Sequence, residues 1–131
     1  MISHLDHLVL TTPDVTSCLD FYSGVLGMEV VRFGACRIAL RFGQQKINIH
    51  EYGREIDPKA HLPVPGSLDL CLIISISMQE LLAHLDIHGI HIADGPVSRT
   101  GASGEINSVY LRDPDLNLIE LSVYINEQYC P

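Results

Sequence analysis

The sequence predicts an α+β fold made of two copies of one βαβββ unit. Three observations carry this reading. A helical apolar periodicity ends at a glycine twice with the same spacing, short β-branched runs alternate with turn residues, and a proline-rich segment separates the two copies.

Residues 5–10 form the first predicted strand, apolar apart from Asp6 and His7. Thr12-Pro13-Asp14 makes a turn that places proline near a helix start, where its missing N–H costs little. Val15, Cys18, Leu19, Tyr22 and Leu26 then recur at helical spacing, with Gly27 as the left-handed cap. Strands follow over 28–33, 36–42 and 46–52, the last two joined by a Gly43-Gln44 hairpin turn. After the linker the pattern restarts with a strand at 68–75, a helix at 78–88 capped by Gly89, and strands at 90–93, 108–112 and 117–124. Residues 94–104 are glycine-rich and read as a loop over a cleft.

The expected organisation is one domain over 1–131, with a first unit at 4–53, a linker at 54–66 and a second unit at 67–125. His7 to Gly27 and Asp69 to Gly89 each span 20 positions, which aligns the units. Further on, Asn48-Ile49-His50 aligns with Leu118-Ile119-Glu120. Neither unit buries its sheet alone, so two must pack, within one chain or across a dimer.

The composition excludes some classes of partner. Of 131 residues, 47% are hydrophobic, and 16 acidic against 8 basic side chains give a net charge of −8. Such a potential repels phosphate backbones and anionic lipid surfaces, so neither nucleic acid nor membrane is an expected partner. The first residues lack a basic stretch followed by an apolar core, so no secretory signal is expected. Cys18, Cys36, Cys71 and Cys130 make no C-x-x-C pair and read as free thiols of a cytoplasmic protein.

Strand alternation sets His7, His50, Asp69 and Glu120 on one face at the first and last strands of the units. A carboxylate among apolar neighbours costs several kcal/mol unless it is paired or coordinated. Glu120 within Asn-Leu-Ile-Glu-Leu-Ser and Asp69 within Leu-Asp-Leu-Cys-Leu both raise that demand, and a divalent cation would meet it. Two imidazoles and two carboxylates suit Ni²⁺, Zn²⁺, Co²⁺, Mn²⁺ or Fe²⁺, with Glu51 able to replace His50 across a bulge. Glu120 is also the candidate general base. Arg99 and Thr100 are candidates to grip an anionic substrate group, and Tyr110 is a candidate to reach the cleft that reads equally as a core residue. Cys71 has no base beside it in sequence, and His84 and His88, four apart on a helix, have no third ligand.

Together these segments resemble the vicinal-oxygen-chelate superfamily of glyoxalases, bleomycin-resistance proteins and extradiol dioxygenases. The resemblance lies in Leu5-Asp6-His7-Leu8-Val9-Leu10, Phe21-Tyr22-Ser23-Gly24-Val25-Leu26-Gly27-Met28 and the closing Arg112-Asp113-Pro114-Asp115-Leu116-Asn117-Leu118-Ile119-Glu120. Lys46-Ile47-Asn48-Ile49-His50-Glu51, Pro63-Val64-Pro65-Gly66-Ser67-Leu68-Asp69 and Gly95-Pro96-Val97-Ser98-Arg99-Thr100-Gly101 are similar to one subgroup of it. That subgroup holds glyoxalase domain-containing proteins and bacterial glyoxalase-like virulence proteins. The resemblance implies an open, cleft-shaped mixed β-barrel, one divalent metal ion per site and a homodimer. It also implies a lyase or isomerase acting on a small oxygenated or glutathione-conjugated substrate. The family pattern of His, Glu, His and Glu departs here to His7, His50, Asp69 and Glu120. A short Asp69 leaves a two-histidine, one-carboxylate set that equally fits a non-haem iron dioxygenase. A metal-free protein that sequesters a ligand is the third expectation.

Overall fold

The computed structural model describes residues 1–125. Cys130 lies outside them. The elements run β1 (His7–Thr12), α1 (Val15–Leu19), β2 (Glu29–Phe33), β3 (Arg37–Phe42), β4 (Gln45–Glu51), β5 (Asp69–Ile73), α2 (Met78–Ile87), β6 (Asp94–Gly101), β7 (Gly104–Arg112) and β8 (Leu118–Tyr124). This is the expected βαβββ order, twice. Two compact units divide the chain. The first holds Met1–Leu68 with Pro114–Asn117, and the second holds Asp69–Asp113 with β8. The second unit is thus interrupted by a short return to the first.

Each unit builds one four-stranded sheet, ordered β1-β4-β3-β2 in the first and β5-β8-β7-β6 in the second. The β1–β4 and β5–β8 pairs are parallel and the rest antiparallel. The helix after each first strand carries the chain back far enough for the parallel pairing.

In the first unit Leu10, Cys18, Tyr22, Ala39, Leu40 and Ile47 are buried, and Phe21 meets Tyr22 edge-to-face with centroids 5.0 Å apart. In the second, Leu81 and Leu85 of α2 are buried, as are Val109, Leu111, Ile119 and Leu121 of the strands. Each such side chain contributes about 1.5–3 kcal/mol when fully removed from water.

The helix ends follow their local sequence. Asp14 caps α1 by accepting from Ser17 N at 3.1 Å, and Ser77 and Glu80 cap α2 reciprocally. Gly27 and Gly89 hold φ of 76° and 64°, the left-handed values predicted for both. The first helix departs from expectation in its second half. After Leu19 it widens to a π-helical turn over Asp20–Val25, and Leu26 N donates to Phe21 O at 3.1 Å. Apolar spacing does not distinguish that wider turn from an α-helix.

A larger correction concerns residues 90–104. The predicted strand at 90–93 is absent, and most of the predicted loop is strand β6. Gly95-Pro96 reads as a breaker, yet β6 lies at the sheet edge, where a missing N–H is tolerated. The register shifts between Asp94 and Val97, and that bulge absorbs the two residues.

Candidate functional site

The parallel registers show how the duplication runs through the chemistry. His7 pairs with Lys46, and Asp69 pairs with Leu118. Two residues further along β4 and β8 stand Asn48 and Glu120. The cross-strand rows agree: Val9–Asn48–Ala39 in the first sheet corresponds to Cys71–Glu120–Tyr110 in the second. Asn48 is therefore the counterpart of Glu120, and His50 is the counterpart of Ser122. The sequence alignment of His50 with Glu120 is off by two residues. A two-residue shift keeps every side chain on its own face, so alternation does not reveal it.

The same register separates the two histidines. His50 pairs with Thr11, four residues along β1 from His7, or about 13 Å. Strand pairing brings Asn48 nearer to His7 than His50 is. His7 is half-exposed, and its Nδ1 lies 2.8 Å from Asp6 Oδ2. The hydrogen bond from His7 is the main cause that holds the Asp6 carboxyl below its usual range. An imidazole held through Nδ1 keeps Nε2 for another partner, an arrangement common among metal-ligating histidines.

Asn48 is 6% exposed, and its Oδ1 has no hydrogen-bond partner. Its row supplies none, because Val9 and Ala39 on either side are apolar. A buried amide oxygen left unmet costs about 1–3 kcal/mol.

The second unit treats its counterpart differently. Glu120 is half-buried, and its Oε2 accepts Ser108 Oγ at 2.7 Å and Ser122 Oγ at 3.4 Å. Both serines are fully buried, and their hydroxyls lie 2.6 Å apart. Cys71 Sγ lies 3.3 Å from Ser122 Oγ. Desolvation raises the Cys71 thiol, and the Glu120 carboxylate adds to that against the hydrogen bond with Ser122. The thiol therefore stays protonated near neutrality and is a poor nucleophile. Asp69 is exposed rather than buried. It opens an edge strand that pairs only with β8, so water reaches it. The sequence argument from buried charge holds in part for Glu120 and fails for Asp69.

The remaining sequence candidates are also placed. Arg99 Nε donates to Tyr110 Oη at 3.0 Å, and its guanidinium stands 5.5 Å from that ring's centroid and 3.7 Å from Asp94. Thr100, next along β6, pairs with Glu105 and faces the other side of the strand. The rings of His84, on α2, and His88, its C-cap, approach with centroids 4.4 Å apart and planes tilted by 49°. Glu51 is exposed at the end of β4, opposite Thr12.

The first unit also contains a cavity of about 410 Å³, which sequence reasoning missed. Val9, Thr11 and His50 of the sheet line it, with Lys59 and Leu62 from the linker and Asn117 from the 114–117 return. The linker lacks periodicity, so nothing in its pattern announced that it would cover the sheet. Asn117 Oδ1 accepts Leu68 N at 2.9 Å, and Gly66, at φ 79°, passes so close to Asp115 O that any side chain would collide. These contacts pin the linker's end. His50 is 4% exposed and its Nδ1 has no partner. Burial is the main cause that lowers its pKa; Arg37 adds to this and Glu55 opposes it, so the ring is neutral.

Among the described residues no group of three or more His, Cys, Asp or Glu side chains is gathered as for a metal ion. The donor chemistry nevertheless fits a divalent cation in each unit taken alone. The first offers Nε2 of His7 and the unmet oxygen of Asn48. The second offers exposed Asp69 and a Glu120 carboxylate held by hydroxyls through one oxygen.

Comparison with known proteins gives these features a family. The profile of the Glyoxalase/Bleomycin resistance protein/Dioxygenase superfamily matches residues 4–121. The chain is 55% identical over 123 residues to Glyoxalase domain-containing protein RDO1 of Mycosarcoma maydis, covering 94% of this chain and 69% of that protein. It is 50% identical over 125 residues to Virulence protein STM3117 of Salmonella typhimurium, covering 95% and 87%. The crystal structure of the Salmonella protein matches with a TM-score of 0.94 over 95% of this chain and 99% of that one. A lactoylglutathione lyase from Agrobacterium tumefaciens, at 19% identity, shares the fold with a TM-score of 0.72 over 94% and 95%. The chain belongs to the Glyoxalase/Bleomycin resistance protein/Dioxygenase superfamily.

Proposed function

We propose that this protein is a metal-dependent lyase or isomerase of the glyoxalase type, acting on a small oxygenated or glutathione-conjugated substrate through adjacent oxygens. The observation that supports it most is the duplicated donor pair: His7 with Asn48, and Asp69 with Glu120, at equivalent register positions. Within the first unit His7 and Asn48 are the donors assigned to metal binding, with Asn48 taking the place given to His50, and within the second Asp69 and Glu120. When bound, the divalent ion polarises substrate oxygens as a Lewis acid.

The other tasks fall to side chains of this chain. Glu120 takes and returns the proton, with Oε2 fixed by the Ser108 and Ser122 hydroxyls and Oε1 left to act as the base. Arg99, held by Tyr110, meets an anionic group of the substrate. The net charge of −8 supports a small-molecule substrate over nucleic acid or membrane, and no helix is long and apolar enough to cross a membrane. A cytoplasmic homodimer is part of the same proposal.

Metal analysis of the purified protein is the test, followed by turnover of the methylglyoxal–glutathione hemithioacetal. The expected result is one divalent ion per chain, lost with activity in Glu120→Ala. Activity that survives thorough metal stripping refutes the proposal. Turnover of a catechol that needs Fe²⁺ and consumes oxygen would move the protein to the ring-cleaving dioxygenases.

A further inference from the structure

We propose that the cavity of the first unit binds the carboxylate of a small organic molecule, with Lys59 as its counter-charge. This rests on reading the face of β1 and β4 that carries Val9, Thr11 and His50 as the substrate face, and it adds the substrate's chemical class. It stands on the cavity's wall.

That wall carries one formal charge, the Lys59 ammonium. Glu55, whose Oε1 lies 3.5 Å from Lys59 Nζ, is not part of the wall, and its Oε2 already accepts Gly53 N at 2.6 Å. An ammonium has three N–H donors, so the contact with Glu55 leaves donors for a ligand. A cationic ligand would meet the Lys59 ammonium and no carboxylate on the wall. A phosphate, with two negative charges, would find one ammonium. A single carboxylate matches, and a charge-assisted hydrogen bond is about twice as strong as a neutral one.

The rest of the wall asks for an organic body. Val9, Leu62, Val64 and Leu68 are apolar, and Pro58 and Pro63 stiffen the covering segment. Gly66 and the Leu68–Asn117 hydrogen bond fix where that segment ends, so the cavity is formed before a ligand arrives. Its volume of about 410 Å³ lies in the range of small-molecule sites. His50 supplies the second polar feature. It is nine-tenths buried and lines the cavity, so a bound molecule would lie against its ring.

The test uses the metal-stripped full chain titrated with hydrocinnamate and with its uncharged amide, followed by calorimetry and by the His50 imidazole resonances. Hydrocinnamate is expected to bind about tenfold more tightly than the amide, with the His50 signals shifting at saturation. Lys59→Gln should abolish that preference and Lys59→Arg should retain it. Lys59 is exposed, and thermal melts of both variants check that the fold is kept. Equal binding of acid and amide, a preference that survives Lys59→Gln, silent His50 resonances or no binding of either up to about 10 mM overturns the inference. Metal content and hemithioacetal turnover of the same preparation report separately on the proposed activity, so either reading can fail alone.

Discussion

Ser108 Oγ donates to Glu120 Oε2 at 2.7 Å, from a position where no water reaches the serine. Ser108 sits opposite Ser122 in the β7–β8 register, and Glu120 stands two residues before Ser122 on the same face. Two hydroxyls therefore converge on one carboxylate oxygen and fix its direction. In the other sheet the corresponding amide, Asn48, has no such support.

Removing Ser108 Oγ should cost more than a surface change. We expect Ser108→Ala to lower unfolding free energy by about 1–3 kcal/mol, because it leaves buried acceptors unmet. Ser122→Ala acts on the same oxygen, so the double variant should lose less than the sum of the singles. Urea titrations of the three variants check this; strict additivity would mean that the hydroxyls do not act together.

Asn48→Leu should separate stability from metal binding. It deletes an unmet buried oxygen, so the urea midpoint should hold or rise. Affinity for a divalent ion should fall about tenfold or more in the role proposed for Oδ1. A clear loss of stability with unchanged metal affinity would count against that role.

His50 gives a pH signature. Its folded pKa is lowered from 6.5, so in the window just below 6.5 the unfolded chain binds a proton that the folded one refuses. Stability therefore rises with pH across that window, and this contribution is lost as pH falls. His50→Gln should flatten the slope there, as read from urea midpoints at a series of pH values. An unchanged slope would show that the ring titrates alike in the folded and unfolded chains.

Gly95 bears on the β6 bulge. At φ 97° it lies against Ser108 O, where a Cβ would collide. Gly95→Ala is expected to lower stability by about 1–3 kcal/mol from the backbone conformation alone, and more through displacement of β7 beneath Ser108. A thermal melt matching wild type would refute the close approach.

Much of this was legible in residue order. Apolar spacing and the two cap glycines, Gly27 and Gly89, located both helices, and short-range turn chemistry located the Gly43-Gln44 hairpin. The alternation of β8 placed Glu120 and Ser122 on one face. Those signals are local, because they arise from backbone dihedrals and side-chain periodicity within a few residues. The shift that makes Asn48 the counterpart of Glu120 left no such trace, since moving a strand by two residues preserves its faces.

The sequence by itself determined the repeated βαβββ order, its helix ends and the candidate residues on the first and last strands. Tertiary structure alone decided which of those residues are neighbours. It drew the linker over the first sheet so that Lys59 and His50 line one cavity, and it left Asp69 on an edge in water. Register and coverage are set by contacts between segments far apart in the chain, where hydrogen-bond ladders and close backbone approaches select one pairing among several that local chemistry permits.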